Sequence, residues 1–393
     1  MTMNIPLKSA RPLKQRVKNV VCGTLRGSTI PRIAITGIAI TGIIISGLSV
    51  NAWGQSSETA YKPIIEQVIK KAILPSYEKL VEEAAHQESN IEKLCLSPSE
   101  TNLNSAKDSF RSLVSAWSRV EMYRIGPAIK DNRQEKLFFW PDRKSIGLRQ
   151  VRKLIDTEEQ TALTTETLKK KSVAVQGILA LEYVLFGKNS ETLSVATPKS
   201  YRCEYGATIA QAIGVTAQTI VDDWSSPSGY AAQMLDTSST NPIYRSDAEV
   251  MQDLLRISSE MIQSTRDLKI KNTIKDSPEK SKPKRAPFWR SNLTLHAYRN
   301  NLDAVVSLFT IGGLGQLTPR YTKSLAFELE QTNKFLAELE KENTSWEKQV
   351  KQKEAHELLT FTLIPLEGAQ YIVSDLIPQE LGLSLGFNSL DGD

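Results

Sequence analysis

Histidine and cysteine are almost missing from this sequence: 393 residues hold three of each. That excludes His-rich metal sites, thiolate zinc clusters and disulfide-dense scaffolds, each of which needs more donors or more thiols. Also missing are a His-Glu-x-x-His zincin motif, a Gly-x-Ser-x-Gly nucleophile elbow, a P-loop and a dinucleotide fingerprint after a strand. Positive charge is scarce where it would matter. The formal net charge is +5, yet residues 1–52 hold seven basic side chains and no acidic one, and the rest carries 42 positive against 44 negative. A phosphate-binding surface needs clustered positive charge on the folded part, so nucleic acid loses its support as a partner. What is present is a chain 40% hydrophobic and 24% charged, too apolar for disorder.

Residues 1–52 read as an export signal. A basic region ends at Arg32, an apolar stretch runs from Ile33 to Val50, and Val50-Asn51-Ala52 offers small residues at −3 and −1 for cleavage after Ala52. Ala52-x-Gly54 is a second candidate. The alternative is a retained membrane anchor, because the apolar run grazes the lower limit for a span. Cys22 precedes the apolar core, which argues against a lipoprotein signal. Export to the periplasm or cell envelope leaves Cys95 and Cys203 as one pair. In an oxidising compartment they are expected to be joined, two buried thiols being the alternative.

Beyond Ser56 the apolar residues recur at three and four, the period of an amphipathic helix. Four stripes show this: Tyr61 to Ile73, Phe110 to Val120, Val175 to Phe186, and Tyr205 to Trp224. A turn-rich stretch, Ser225 to Arg245, follows. Ser246-Asp247-Ala248-Glu249 then opens another helix as a capping box, with Val250, Leu254, Ile257, Met261 and Leu268 as its stripe. After a charged linker from Lys271 to Pro287, helices fit 291–309, 319–345 and 350–375, the second with Thr318-Pro319 at its start. Four long helices, a loop and four more predict an all-α fold of two packed four-helix bundles, 53–240 and 241–393. The aromatic, charged segment Leu137–Gly147 resists helix; it either packs under a bundle end or shapes a pocket.

Glu182 is the most informative residue. It sits four residues after Ile178, inside an apolar stripe, where a carboxylate requires a cation, a metal or several hydrogen bonds. Glu121, at Trp117 + 4, and Arg124, at + 7, repeat the pattern. All three are expected to converge on one bundle interior or its end, with a purely structural Glu–Arg pair as the alternative. On another helix, His296, Arg299 and Asp303 share a stripe that reads as solvated, the alternative being that Arg299 faces the other bundle and lines a shared cleft. The basic run Lys280–Arg285 reads as an exposed loop.

Two stretches resemble a known family. Gly177-Ile178-Leu179-Ala180-Leu181-Glu182 is similar to the Gly-x-His-x-x-Glu motif of the imelysin family of bacterial envelope proteins, with Leu179 at the His position. Gly386-Phe387-Asn388-Ser389-Leu390-Asp391-Gly392-Asp393 resembles the family's C-terminal Gly-Phe-Asn-x-x-Asp-Gly-Asp. Trp117 with Arg124-Ile125-Gly126 is similar to a weaker pattern. The resemblance spans about 58–393. It implies two packed four-helix bundles, and a history among metallopeptidases with other members tied to iron uptake. The departure is chemical. His and Glu three apart on one helix face could supply N and O ligands, and leucine supplies neither.

The sequence therefore reads as an exported binding protein, non-enzymatic, with an iron link implied by the resemblance. The expected ligand residues are Glu182, Glu121, Arg124, Trp140, Asp142 and Arg143. The cofactor is undetermined, iron or another metal being what the resemblance implies. A small ligand or metal ion and envelope proteins are the partner classes, and membrane contact is expected only through an uncleaved leader. A metallopeptidase and a ligand-free scaffold are the alternatives.

Overall fold

The computed structural model describes residues 55–342 and 344–385. The segment read as a leader, with its expected cleavage site and Cys22, and the C-terminal octet 386–393 lie outside the described residues. Among the described residues there are helices and turns but no strand, and no helix is long and apolar enough to cross a membrane.

The first set of helices begins with α1 (Gln55–Val68) and α2 (Leu74–Leu96), which a π-helical turn at Ile69–Ile73 joins into one rod. Next comes α3 (Glu100–Val120), started by the Ser99 side chain, which accepts a hydrogen bond from the Asn102 backbone N–H. The shorter α4 (Ile146–Thr157) and α5 (Ile178–Phe186) precede α6 (Tyr201–Ser225). Helices α2, α3, α5 and α6 pack side by side, burying Phe110, Leu113, Val114, Trp117, Ile209 and Ile213. The disulfide Cys95–Cys203 joins the end of α2 to the start of α6, with Cα atoms 5.5 Å apart.

The second set is α7 (Asp247–Gln263), α8 (Thr294–Thr310), α9 (Pro319–Lys341) and α10 (Lys353–Tyr371). At the start of α7 the Ser246 side chain accepts from the Glu249 backbone N–H, and the Glu249 carboxylate reaches back to the Arg245 N–H. These helices form a second bundle, and α8 packs on α3 while α1 reaches α7.

The end of α7 departs from the sequence reading. A π-helical turn, Ser264–Lys271, follows it. The wider turn inserts a residue into the α period, so the buried positions become Thr265, Lys269 and Ile270 and Leu268 turns partly outward. A lysine is thereby carried to the inner face.

The Lys271–Pro287 stretch is also not a free linker. Ser281 Oγ donates to the Ile274 carbonyl, the Lys282 N–H to Thr273, and Trp346 Nε1 to Pro283. Lys282, Lys284 and Arg285 are exposed, as read, on a backbone pinned to the second bundle.

Candidate functional site

A cleft of about 1240 Å³ opens beside α5. Its floor is the first turns of α5, where Leu179, Glu182 and Tyr183 line it. One wall is the Phe139–Leu148 loop. The other is the 266–276 turn together with Lys282–Arg290.

The motif residues build this floor. An added Cβ at Gly177 would lie 2.3 Å from the Leu137 carbonyl oxygen, so only glycine lets the aromatic loop close onto α5. Phe138 then fits between Trp117 and Phe288, with ring centroids 5.2 and 5.5 Å away. Trp140 Nε1 donates to the Arg285 carbonyl at 3.0 Å, linking the two walls. Asp142 accepts from the Ile146 and Leu148 backbone N–H groups at 2.7 and 3.2 Å. Its carboxylate caps α4.

Glu182 is fully buried. Its Oε1 accepts from the backbone N–H groups of Arg290 and Ser291 at 3.1 and 3.0 Å and from Ser291 Oγ at 2.9 Å. Its Oε2 has no hydrogen-bond partner and lies 3.5 Å from the Arg290 guanidinium. Burial pushes the carboxyl above its ordinary range, opposed first by Arg290 and then by the Ser291 donors. The Arg290 guanidinium in turn stacks over Trp289 at 4.4 Å and Tyr183 at 5.7 Å.

The six residues singled out from the sequence separate. Glu182, Trp140, Asp142 and Arg143 line the cleft. Glu121 lies behind it, bonded to Lys269 Nζ at 2.8 and 2.9 Å and to Asn301 Nδ2 at 2.9 Å. Lys269 faces the Trp140 ring at 5.9 Å, so an aromatic side chain stands between this buried pair and the cleft. Arg124 does not converge with the two glutamates. Helix α3 ends at Val120, so the seven-residue spacing no longer sets its direction, and it points to Glu135 at 3.6 Å with its side chain 55% exposed. Lys269, Arg290 and Ser291 escaped the sequence reading. Ser291 donates partly through its backbone, which leaves no mark in residue type.

The cleft does not fit a resident transition metal. Leu179 offers no donor, Oε1 of Glu182 already accepts three hydrogen bonds, and a cation at Oε2 would meet the Arg290 guanidinium. None of the three histidines lines it. His356 Nε2 lies 3.1 Å from the Ile274 carbonyl oxygen. His296 sits between the bundles, 2.6 Å from Ser115 Oγ and 3.4 Å from Glu340. Its helix face is thus engaged rather than solvated: Arg299 bonds Glu340 at 2.6 Å, and Asp303 accepts from Asn333. Among the described residues, Glu82, Glu83 and His86 bring metal-type donors within 4.8 Å of one another, but Lys79 already pairs with both glutamates.

Residues 73–364 match the family model for imelysin, peptidase M75. A curated relative, iron-regulated protein A of Synechococcus elongatus, is 22% identical over 258 residues, which cover 64% of this chain. The chain spans 65% of that relative's length. An imelysin-like protein from Psychrobacter arcticum 273-4 has a similar solved structure, with TM-score 0.68, 19% identity, and coverage of 88% of this chain and 100% of that one. An iron-regulated protein A precursor from Parabacteroides distasonis ATCC 8503 also gives 0.68, at 16% identity, with 83% and 97% covered. These structural likenesses concern the fold.

Proposed function

The chain belongs to the imelysin family, and from that premise we propose that it is an exported, non-enzymatic binding protein of the bacterial cell envelope. Its ligand sits in the cleft beside Glu182, and its task is tied to iron supply. The observation that carries the reading is the cleft itself. It is large enough for a small organic molecule, it has aromatic walls, and its floor holds a buried carboxylate whose Oε2 accepts no hydrogen bond and faces the Arg290 guanidinium. The non-enzymatic part rests on Leu179, which removes the metal donor a metallopeptidase would need. The iron link is supported by the similarity to an iron-regulated protein A, and export by the leader together with the Cys95–Cys203 bond.

The test is recovery of the protein from the envelope fraction of its own host, grown with and without iron. N-terminal sequencing should start at or near Trp53, native mass spectrometry should find a small molecule carried along, and abundance should follow iron. A start at Met1 with the protein in the cytoplasm overturns export. Metal-dependent hydrolysis of peptide substrates overturns the non-enzymatic reading.

A further inference from the structure

The cleft collects positive charge that the chain beyond residue 52, with 42 positive against 44 negative side chains, does not have. Its lining holds nine Lys and Arg side chains against five Asp and Glu. Most of the acids are already committed. Asp142 caps α4, Glu182 binds the 290–291 backbone, Asp267 pairs with Arg266 at 2.8 Å and Glu347 with Lys284 at 3.5 Å. Asp276 alone is left to offset Lys275.

The cations, by contrast, are poorly matched. Lys275 Nζ and Arg285 Nη1 donate to one neutral atom, Asn272 Oδ1, at 2.7 and 2.9 Å. Two like charges are thus held beside each other by an uncharged acceptor, which leaves their repulsion standing. Lys275 also occupies a backbone conformation, φ 58° and ψ −156°, that side-chain-bearing residues rarely adopt. Such strain is kept where the surrounding structure fixes a side chain's direction. Burial, with Arg285 and Lys282 nearby, pulls the Lys275 ammonium below its ordinary range. Lys282 and Arg143 add two exposed cations on opposite walls, and neither has a carboxylate within ion-pair distance among the described residues.

We infer that the ligand of this cleft is a small multivalent oxyanion, bearing carboxylates or phosphates, clamped between Lys275, Lys282 and Arg285 on one wall and Arg143 on the other. The inference rests on the proposed binding reading and names its ligand class. An anion would replace Asn272 as the shared acceptor for Lys275 and Arg285 and would neutralise their repulsion. Trp140 and Trp289 would flank it without competing for its charge. Such charge-assisted bonds, bidentate at a guanidinium, are the strong ones.

Calorimetric titration of the mature protein with citrate and with pyrophosphate tests this, spermidine serving as the cationic control. At low salt at least one anion should bind, and which one separates the carboxylate source from the phosphate source. Affinity should fall ~10-fold or more in K275Q/K282Q, as expected for loss of one or two charge-assisted contacts, and should weaken with salt. Lys334→Gln, an exposed site outside the cleft, should change nothing. Circular dichroism melts confirm that each variant is folded. Absence of heat with both anions overturns the inference, as does equal loss in Lys334→Gln. A neutral or cationic molecule found in the cleft by native mass spectrometry would also overturn it while leaving the binding reading intact.

Discussion

Lys269 and Glu121 form a buried ion pair across the two bundles, with Nζ 2.8 and 2.9 Å from the two carboxylate oxygens and the lysine side chain 1% exposed. Asn301 completes the knot. Its Oδ1 accepts from Lys269 at 2.7 Å, while its Nδ2 donates to Glu121 and to the Ser118 carbonyl. Every strong group has a partner, which is what a dry interior demands. The knot holds the end of α3 against the π-helical turn after α7 and thereby fixes the wall on which Trp140 rests.

Removing one partner should therefore be costly. Lys269→Met strands the Glu121 carboxylate, and Glu121→Gln strands the ammonium; each should lose about 3–5 kcal/mol in denaturant unfolding. The double variant should lose clearly less than the two single losses added together, because neither charge is then left alone. Additive losses would show that the two residues act separately.

Glu182 calls for a comparison of two substitutions. Glu182→Gln keeps an acceptor for the Arg290 and Ser291 donors and relieves the burial of a charge, so stability should change by no more than about 1 kcal/mol. Glu182→Ala leaves the Arg290 and Ser291 backbone N–H groups unsatisfied, while Ser291 Oγ keeps the Phe288 carbonyl as acceptor, and should lose about 2–4 kcal/mol. Chemical melts of both decide it. Equal losses would mean that the charge, not the hydrogen bonding, holds the 290–291 segment.

Acid should loosen the bundle interface at Glu340. His296, with Arg299 and Arg111, holds its carboxyl down at about 2, against burial. A folded value below the ordinary 4.5 means that the folded state favours the carboxylate. Its contribution is full above about 4.5 and is lost as pH falls toward about 2. The site is partly open to solvent, so about 1–2 kcal/mol is the expected size. Unfolding free energies measured from pH 5 to pH 2 should fall less steeply in Glu340→Gln; parallel curves would remove Glu340 from the account.

The disulfide closes a separation of 108 residues. The chain-entropy account puts its effect at about 4–5 kcal/mol. Reduction, or the Cys95→Ser/Cys203→Ser double variant, should lower the melting temperature, and the unreduced mature protein should take up no alkylating agent. Two alkylated cysteines would refute the bond in the native protein.

The helical period was enough to determine the class of fold, because burial of one face imposes a 3.6-residue repeat whatever lies opposite. The Ser246 cap and the pairing of Cys95 with Cys203 were equally local or followed from counting. Glu182 could be marked as needing a partner, since its own helix supplied only apolar neighbours. Its partner could not be named, because backbone N–H groups of Arg290 and Ser291 carry no signature in residue type. Three further matters belonged to tertiary structure. Arg124 turned outward because its helix stopped four residues earlier. Lys269 turned inward because a π-helical turn added a residue to the repeat. And the cations of the cleft gathered from segments more than a hundred residues apart in a chain whose charge beyond residue 52 is close to balanced. Periodicity and composition describe each segment alone. Which charges meet is decided by packing, which brings the loop before α4 and the turn after α7 to opposite sides of one cleft.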